Sequence, residues 1–235
     1  MRQRRIKDIE NKLAAFGSLL VTQPERLRGQ WRGLYGKDEG AHFYAEIGCG
    51  KGRFVTASAQ RDPDGLYLGL EGHESVLYRA LQRACAGAER SARDIHEAAQ
   101  QAGAETAPPN LRLCRIYLMD ARELFESGEL DGIFLNFSDP WPKARQEKRR
   151  LTSPAYLASY AEVLAPGAFL RFKTDNPELF AYSKDTFLFA PAFEVTALAE
   201  DLHNSPYAAG NIETEYERKF RNLKRAIRYI EVRRR

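Results

Sequence analysis

A glycine-rich turn directly after a carboxylate is the first part of this sequence that could do chemistry. It ends the apolar run 43–47 and has the pattern Glu46-x-Gly48-x-Gly50-x-Gly52. The dinucleotide-binding pattern needs a glycine at position 53, which is an arginine here, and the G-K-[ST] of a Walker loop is absent. A pyrophosphate site favours a helix N-terminus with no acid nearby, so the turn is better suited to a ligand with a positive charge and no phosphate. The alternative is a tight turn under a helix that binds nothing.

Four more acids lie at or just beyond the ends of predicted strands, namely Glu71, Asp120, Asp139 and Asp175. Ligands of parallel sheets bind beyond the carboxyl ends of the strands, so we expect these acids and Glu46 to surround one site rather than to be solvated loop ends. S-adenosylmethionine, with its sulfonium and ribose hydroxyls, fits such a site. Glu71 is well placed for the ribose hydroxyls, and Asp120 is a candidate partner of the adenine amino group.

Apolar runs alternate with helical patterns and must position these acids. Strands are predicted at 43–47, 66–71, 111–119, 130–137, 169–175 and 227–232. Helices are predicted at 54–60, 75–101, 154–164 and 179–187, and residues 8–35 are predicted to form a helix followed by a loop. Short strands that alternate with helices indicate an α/β fold with a mostly parallel sheet.

The length of 235 residues indicates one domain with a small elaboration. We expect a basic helical extension at 1–40 and the catalytic domain at 41–235. The Ala-rich segment at about 86–110 is predicted to be an insertion or a helix extension outside the core. No apolar run is long enough for a transmembrane helix, and the charged start has no signal-peptide core, so the expected location is cytoplasmic.

The net charge of +4 is unevenly distributed. Three segments, 1–12, 143–150 and 218–235, hold 19 of the 36 Lys and Arg residues but only 4 of the 32 Asp and Glu residues. If they converge they form a surface for a polyanion; the alternative is three unrelated solvated surfaces. The three cysteines and four histidines are scattered, so we expect no metal site and read the cysteines as buried, reduced side chains.

Five ordered sequence blocks resemble the tRNA (guanine-N7)-methyltransferases. The most specific is Asn136-Phe-Ser-Asp-Pro-Trp-Pro-Lys143 followed by Lys148-Arg-Arg-Leu151. The other blocks are Glu46–Gly52, Gly69–Glu71, Lys173–Asn176 and Thr214–Phe220. The sequence departs from the family at Ser138, where the family usually has proline.

The resemblance implies a Rossmann-like class I methyltransferase fold, a seven-stranded sheet with helices on both faces, and S-adenosylmethionine as the cofactor. It implies that the turn glycines and the acids Glu46, Glu71, Asp120 and Asp139 line the cofactor site. It implies tRNA contacts by a second set, Lys143, Asp175, Thr214, Glu215, Tyr216 and Glu217. The implied product is 7-methylguanosine at position 46 in the variable loop, made without a metal or an obligatory protein partner by a monomer or homodimer.

The chemistry of guanine N7 defines what the residues must do. N7 has an in-plane lone pair and no proton, so it needs no general base, and methylation leaves the ring positively charged. We expect Asp139 to orient the guanine and to stabilise this charge. Trp141 either stacks on the base or walls the pocket. Phosphates of the RNA are expected at Arg145, Lys148, Arg149 and Arg150.

Three other functions compete with this interpretation. An exocyclic-amino methyltransferase shares Asp139-Pro140, but it usually continues with proline and an aromatic residue, whereas here Trp141 precedes Pro142. A non-catalytic RNA-binding module would not need the glycine turn and its acids. An NAD-linked oxidoreductase is disfavoured by Arg53 and by the acid in the turn.

Overall fold

Two compact units make up the computed structural model, which describes residues 6–37, 40–90, 94–95 and 106–235. The first half ends at Leu118 and the second half begins at Met119. The elements of the first half are α1 (Ile9–Ala14), β1 (Leu20–Val21), α2 (Trp31–Leu34), β2 (Phe43–Ile47), α3 (Arg53–Arg61), β3 (Leu66–Glu71), α4 (Glu74–Ala86) and β4 (Leu111–Arg115). Those of the second half are β5 (Leu130–Asn136), α5 (Pro154–Val163), β6 (Leu164–Thr174), α6 (Pro177–Leu188), β7 (Phe193–Ala199), α7 (Glu215–Asn222) and β8 (Arg228–Arg234).

Parallel strands in the order β1-β4-β3-β2 make the sheet of the first half. Strand β3 has the sequence LYLGLE and is buried on both faces, as is usual for a strand in a parallel sheet. Helices α3 and α4 pack on β3 and β4. Ile47 is opposite Leu70, so the glycine turn after β2 begins beside the carboxyl end of β3.

The second half has the strand order β5-β6-β8-β7. Strands β5 and β6 are parallel, whereas β8 lies between β6 and β7 and is antiparallel to both. Asn136, the last residue of β5, is opposite Lys173, the residue before the end of β6. The turns that follow β5 and β6 therefore start side by side.

The α/β fold and its mostly parallel sheet are confirmed, but the strand number is not. The described residues form eight strands rather than seven. The prediction of helix and loop for 8–35 missed β1, which is only two residues long, and β7 was not predicted either. Strand β6 also begins at Leu164, so Pro166 and Gly167 lie within it.

Both segments expected to lie beside the core contribute to it. Trp31 is completely buried, with its ring centroid 6.0 Å from that of Phe43. Within 86–110, Ala88, Ile95 and Asn110 are buried, so the expectation that this segment lies outside the core is wrong for these three residues. Residues 1–5, 38–39, 91–93 and 96–105 lie outside the described part of the chain. The domain boundaries at 40 and 41 stay a prediction.

Membrane-spanning helices are not found in the described ranges, because no helix there is both long and apolar enough to cross a bilayer. The three cysteines are buried and form no disulfide, as predicted.

Candidate functional site

The glycine turn of the first half is fastened to the end of β3. The N–H groups of Gly48 and Cys49 both donate to the carbonyl of Leu70, at 2.9 Å each. Gly48, Gly50 and Gly52 have φ values of 75°, 58° and 75°, which other residues rarely adopt. A Cβ at Gly52 would also lie 2.9 Å from the Cβ of Ala80 in α4. The third glycine is thus needed for helix packing as well as for the turn.

Glu71 binds the same turn through its carboxylate. The N–H of Gly50 donates to its Oε2 at 3.1 Å, and the N–H of His73 donates to its Oε1 at 2.8 Å. Burial raises the pKa of this carboxyl, although the two backbone N–H groups oppose the rise. The carboxylate is therefore held in one orientation at the carboxyl end of β3, and its contact with ribose hydroxyls stays a prediction.

Glu46 lies within β2 and is 3% exposed. Burial raises the pKa of the Cys49 thiol, and the negative charges of Glu46 and Glu71 raise it further. Both carboxylates therefore lie near the glycine turn, and their contact with a cofactor stays a prediction. A Cβ at Gly48 or Gly50 would meet no heavy atom within 4 Å in the described structure, so a ligand can approach the backbone there.

Asp120 caps a 3-10 turn at the start of the second half. It accepts hydrogen bonds from the backbone N–H of Arg122 at 3.0 Å and from the Arg122 Nε at 2.9 Å. These hydrogen bonds to Arg122 lower the pKa of the Asp120 carboxyl. The carboxylate is thus ionised and already engaged by a cation, and its contact with adenine stays a prediction.

Asp139 stands exposed on a strained turn that follows β5. Phe137 and Trp141, on either side of it, have φ values of 54° and 41°, where a non-glycine residue is held only by its surroundings. The Phe137 N–H donates to the carbonyl of Lys173 at 2.8 Å and so extends the pairing of β5 with β6. The turn thereby presents the Asp139 carboxylate to solvent beside the end of β6.

Arg150 braces this turn from the other side. Its guanidinium donates to the carbonyls of Pro140 and Trp141, at 3.2 Å each, and lies 4.2 Å from the centre of the Tyr182 ring. Sequence reasoning assigned Arg150 to an RNA phosphate only. The structure shows that Arg150 also shapes the turn that carries Asp139, and its phosphate contact stays a prediction.

The basic segment after the turn is a 3-10 helix from Ala144 to Arg149. Lys143, Arg145, Lys148 and Arg149 are all exposed. Arg149 lies 5.0 Å from the centre of the Trp141 ring, which indicates a cation–π contact. This segment places exposed positive charges shortly after Asp139 in the chain, and their contacts with phosphates stay a prediction.

A buried ion pair links β6 to the first turn of α7, and sequence reasoning missed it. The Lys173 Nζ donates to Glu217 Oε2 at 2.7 Å, to Asn211 Oδ1 at 3.0 Å and to the carbonyl of Ile212 at 3.0 Å. The Lys173 and Glu217 side chains are 5% and 0% exposed. His203 Nε2 lies 3.0 Å from the other Glu217 oxygen. Glu217 therefore works inside the protein, and its predicted contact with tRNA stays a prediction.

The other predicted tRNA contacts of this half surround the start of α7. Thr214 and Glu217 form a capping box, in which the N–H of Glu217 donates to Thr214 Oγ1 at 3.0 Å. Thr214 is buried, Glu215 is half-buried and Tyr216 is exposed. Asp175 lies 3.5 Å from the Arg225 guanidinium.

The last basic segment does not converge as a whole on the carboxyl ends of the strands. Arg233 and Arg234 donate to the carbonyls of Gly167 and Leu164, at the start of β6. Residues of a strand are about 3.3 Å apart, so these arginines lie roughly 20 Å from the end of β6 where Asp175 follows. The expectation is therefore wrong for 233–235, while 218–225 lie in and just after α7. The segment 1–12 lies partly outside the described residues.

Comparison with known proteins decides between the candidate functions. A family model described as "Putative methyltransferase" matches residues 41–230. A tRNA (guanine-N(7)-)-methyltransferase of Geobacillus sp. is 40% identical over 94% of this chain and 90% of its own length. A protein of the same name from Streptococcus thermophilus is 38% identical over 99% of this chain and 98% of its own. The chain belongs to the tRNA (guanine-N7)-methyltransferase family.

Solved structures confirm the fold of this family member. The 16S rRNA methyltransferase KamB matches with a TM-score of 0.54 over 99% of this chain and 96% of that chain, at 15% identity. The aminoglycoside resistance methyltransferase NpmB1 matches with a TM-score of 0.52 over 87% of this chain and 93% of that chain, also at 15% identity. The chain thus has the class I methyltransferase fold that the resemblance implied.

The cofactor of this family, S-adenosylmethionine, fits the first half of the site. Its sulfonium and ammonium are positive, and Glu46 and Glu71 supply two carboxylates at the glycine turn. Its ribose hydroxyls can donate to Glu71, and its close approach is possible at Gly48 and Gly50. When bound, it supplies a methyl group on a positively charged sulfur, which is a good leaving group.

Proposed function

We propose that this protein methylates N7 of the variable-loop guanine of tRNA, at position 46, and so forms 7-methylguanosine. The observation that carries the proposal is the agreement in sequence with tRNA (guanine-N(7)-)-methyltransferases over almost the whole chain, at 40% identity in the Geobacillus case. The exposed Asp139 turn with a basic segment directly after it supports the same conclusion. Because its substrate is tRNA, we propose that the enzyme works in the cytoplasm.

Asp139 is the residue that we assign to the reacting base. The N7 lone pair lies in the plane of the guanine, so the enzyme has no proton to remove and must align N7 with the methyl carbon at roughly 3–3.5 Å. Asp139 is exposed on a turn that Arg150 and Lys173 hold in place. Its carboxylate can accept hydrogen bonds from guanine N1 and N2. It also opposes the positive charge that grows on the purine during transfer.

Residues of the first half are assigned to the cofactor. Glu71 would accept hydrogen bonds from the ribose hydroxyls of S-adenosylmethionine. Glu46 would attract the positively charged groups of the same molecule. The backbone of Gly48 and Gly50 would make the close contacts that a side chain would prevent.

The exposed cations after the turn are assigned to the tRNA backbone. Lys143, Arg145 and Lys148 are exposed, so each can reach a phosphate without a rearrangement of the fold. Folded RNA is bound mainly through its shape and its backbone, which suits an exposed basic segment. The target guanine has to leave its tertiary contacts before N7 is accessible. The phosphate contacts of the basic segment can hold the tRNA while the guanine moves.

The test is to incubate unmodified tRNA with the pure protein and labelled S-adenosylmethionine, and then to identify and map the methylated nucleoside. We expect 7-methylguanosine at the variable-loop position only. The matched control is Asp139→Asn, which keeps the size of the side chain and removes its charge. N-methyladenine or N-methylcytosine would establish the exocyclic-amino alternative, and no labelled nucleoside despite cofactor and tRNA binding would establish a non-catalytic RNA-binding module.

A further inference from the structure

Three aromatic rings form a continuous group in the second half. The ring centroids of Phe137 and Tyr216 are 6.3 Å apart, those of Phe137 and Phe220 are 6.0 Å apart, and those of Tyr216 and Phe220 are 6.3 Å apart. The angles between the three ring planes are only 26°, 27° and 24°. The rings thus face nearly the same direction.

The inner rings are anchored and the outer ring is open to solvent. Phe137 and Phe220 pack against a buried cluster that includes Leu202 and Ile227. Tyr216 is 56% exposed although its ring has two aromatic neighbours. Its backbone is held in place because the capping box and the buried Glu217 fix the first turn of α7. An exposed ring on a rigid support is suited to bind a flat partner.

The group begins at the catalytic turn. Phe137 comes two residues before Asp139 and has the left-handed φ of 54°. A bulky residue is strained in this conformation, so the packing of its ring against Tyr216 and Phe220 has to compensate. In this conformation the Phe137 ring joins the Asp139 turn to α7.

Cations surround the group. The Lys219 ammonium lies 5.8 Å and the Arg225 guanidinium 5.5 Å from the centre of the Phe220 ring. Residues 221–225, which continue from α7, are all exposed and include Arg221 and Lys224. Proteins that hold unpaired nucleotides combine such features, with aromatic rings for the bases and cations for the phosphates.

We propose that Tyr216, supported by Phe137 and Phe220, stacks on the nucleobase next to the guanine that is methylated. The inference rests on the proposed function, because it takes tRNA as the substrate. When the target guanine is turned out, its neighbour loses a stacking partner, and Tyr216 replaces that partner. Stacking on an aromatic ring needs no particular base, so Tyr216 supports binding and leaves the choice of target to the Asp139 turn.

The test uses tRNA transcripts that carry 2-aminopurine, a base whose fluorescence is quenched by stacking, at a nucleotide next to the target guanine. We expect quenching on binding to the wild type and to Tyr216→Phe, and little quenching with Tyr216→Leu. The tRNA KM of Tyr216→Leu should rise about ten- to hundredfold, with an unchanged affinity for S-adenosylhomocysteine. The control is Tyr207→Leu, which removes another exposed tyrosine of the same half, 40% exposed, and should behave as the wild type.

Full quenching with Tyr216→Leu would overturn the proposal, whether or not the KM rises, because the base would then stack elsewhere. An unchanged KM would overturn it as well. Wild-type protein that methylates N7 while Tyr216→Leu behaves normally would refute the stacking role alone. Wild-type protein that forms no 7-methylguanosine would refute the proposed function itself.

Discussion

The two halves of the molecule use acidic residues in opposite ways. In the first half, Glu46 is buried and Glu71 is fixed by two backbone N–H groups, so both carboxylates are in place before any ligand arrives. In the second half, Asp139 is exposed and exposed cations follow it in the chain. A small cofactor is best held by rigid, desolvated groups, whereas a large polyanion is best met by groups that can adjust. We therefore propose that Glu46 and Glu71 in the first half bind the cofactor, whereas the Asp139 turn and the cations after it bind the RNA.

The turn after β2 and the turn after β5 also differ, in how much backbone strain they carry. The turn after β2 reaches positive φ values with glycines, which carry little strain. The turn after β5 reaches them with Phe137 and Trp141, so it needs braces such as Arg150. The second half therefore stores strain where the reacting base is expected, and its function should depend on residues that touch no substrate.

Breaking the buried ion pair of the second half should have the largest effect. Lys173→Met leaves the Glu217 carboxylate buried without its cation, so the free energy of unfolding should fall by about 3–5 kcal/mol. Urea unfolding measures this. The double variant Lys173→Met/Glu217→Leu, which removes both charges, should recover most of the loss. A loss below about 1 kcal/mol in the single variant would contradict the structural role of the pair.

Removing the Asp139 carboxylate should lower turnover and change cofactor binding little. Asp139→Ala should lower kcat by about 10²- to 10³-fold, since charge stabilisation at the reacting base is lost. Its affinity for S-adenosylhomocysteine, measured by calorimetry, should change much less. Unchanged turnover would show that Asp139 does not act on the guanine.

Removing the charge of Glu71 should affect the first half alone. Glu71→Gln should weaken the binding of S-adenosylhomocysteine by about ten- to hundredfold, because hydrogen bonds to a charged group are lost. The wild-type affinity should also fall as the pH is lowered, because the protonated carboxyl is a poorer acceptor. Since burial raises the pKa of Glu71, this fall should begin at a higher pH than for an ordinary glutamate. An equal pH dependence in the variant would refute the assignment.

Reversing two exposed charges should have the smallest effect and the strongest dependence on salt. Arg145→Glu with Lys148→Glu leaves Arg150 and the Asp139 turn intact. The tRNA KM should rise at low salt, and the slope of log affinity against log salt should flatten by about two units. The matched control is Arg233→Glu, which changes an arginine of β8 that lies beside the start of β6. Equal salt slopes in the double variant and the control would show that 143–150 is a solvated surface.

The first half of the site was largely predictable from the sequence, because its geometry is local to two strand ends. Positive φ values are indicated by the three glycines of the turn, Gly48, Gly50 and Gly52. Glu71 comes at the end of the next strand. Because neighbouring parallel strands end at the same edge of the sheet, the glycine turn and Glu71 must lie close together. The pattern of glycines and acids favoured S-adenosylmethionine, and the family resemblance implied the same cofactor.

The second half was less predictable, because its key contacts join distant parts of the chain. Lys173 and Glu217 are 44 residues apart, and both types are usually exposed, so nothing in the pattern marks them as a buried pair. Tyr216 was expected among the tRNA contacts, but no spacing in the sequence showed that its ring would meet those of Phe137 and Phe220. Charge runs were misleading at 233–235, because β8 carries its arginines to the wrong end of β6.

The division of work between the halves is tested most directly by measuring two affinities on the same two variants at one salt concentration. The dissociation constants of S-adenosylhomocysteine and of tRNA are determined for Glu71→Gln and for Arg145→Glu/Lys148→Glu. We expect the first variant to lose affinity for S-adenosylhomocysteine only and the second to lose affinity for tRNA only. Two variants that each lose both affinities to a similar extent would contradict it.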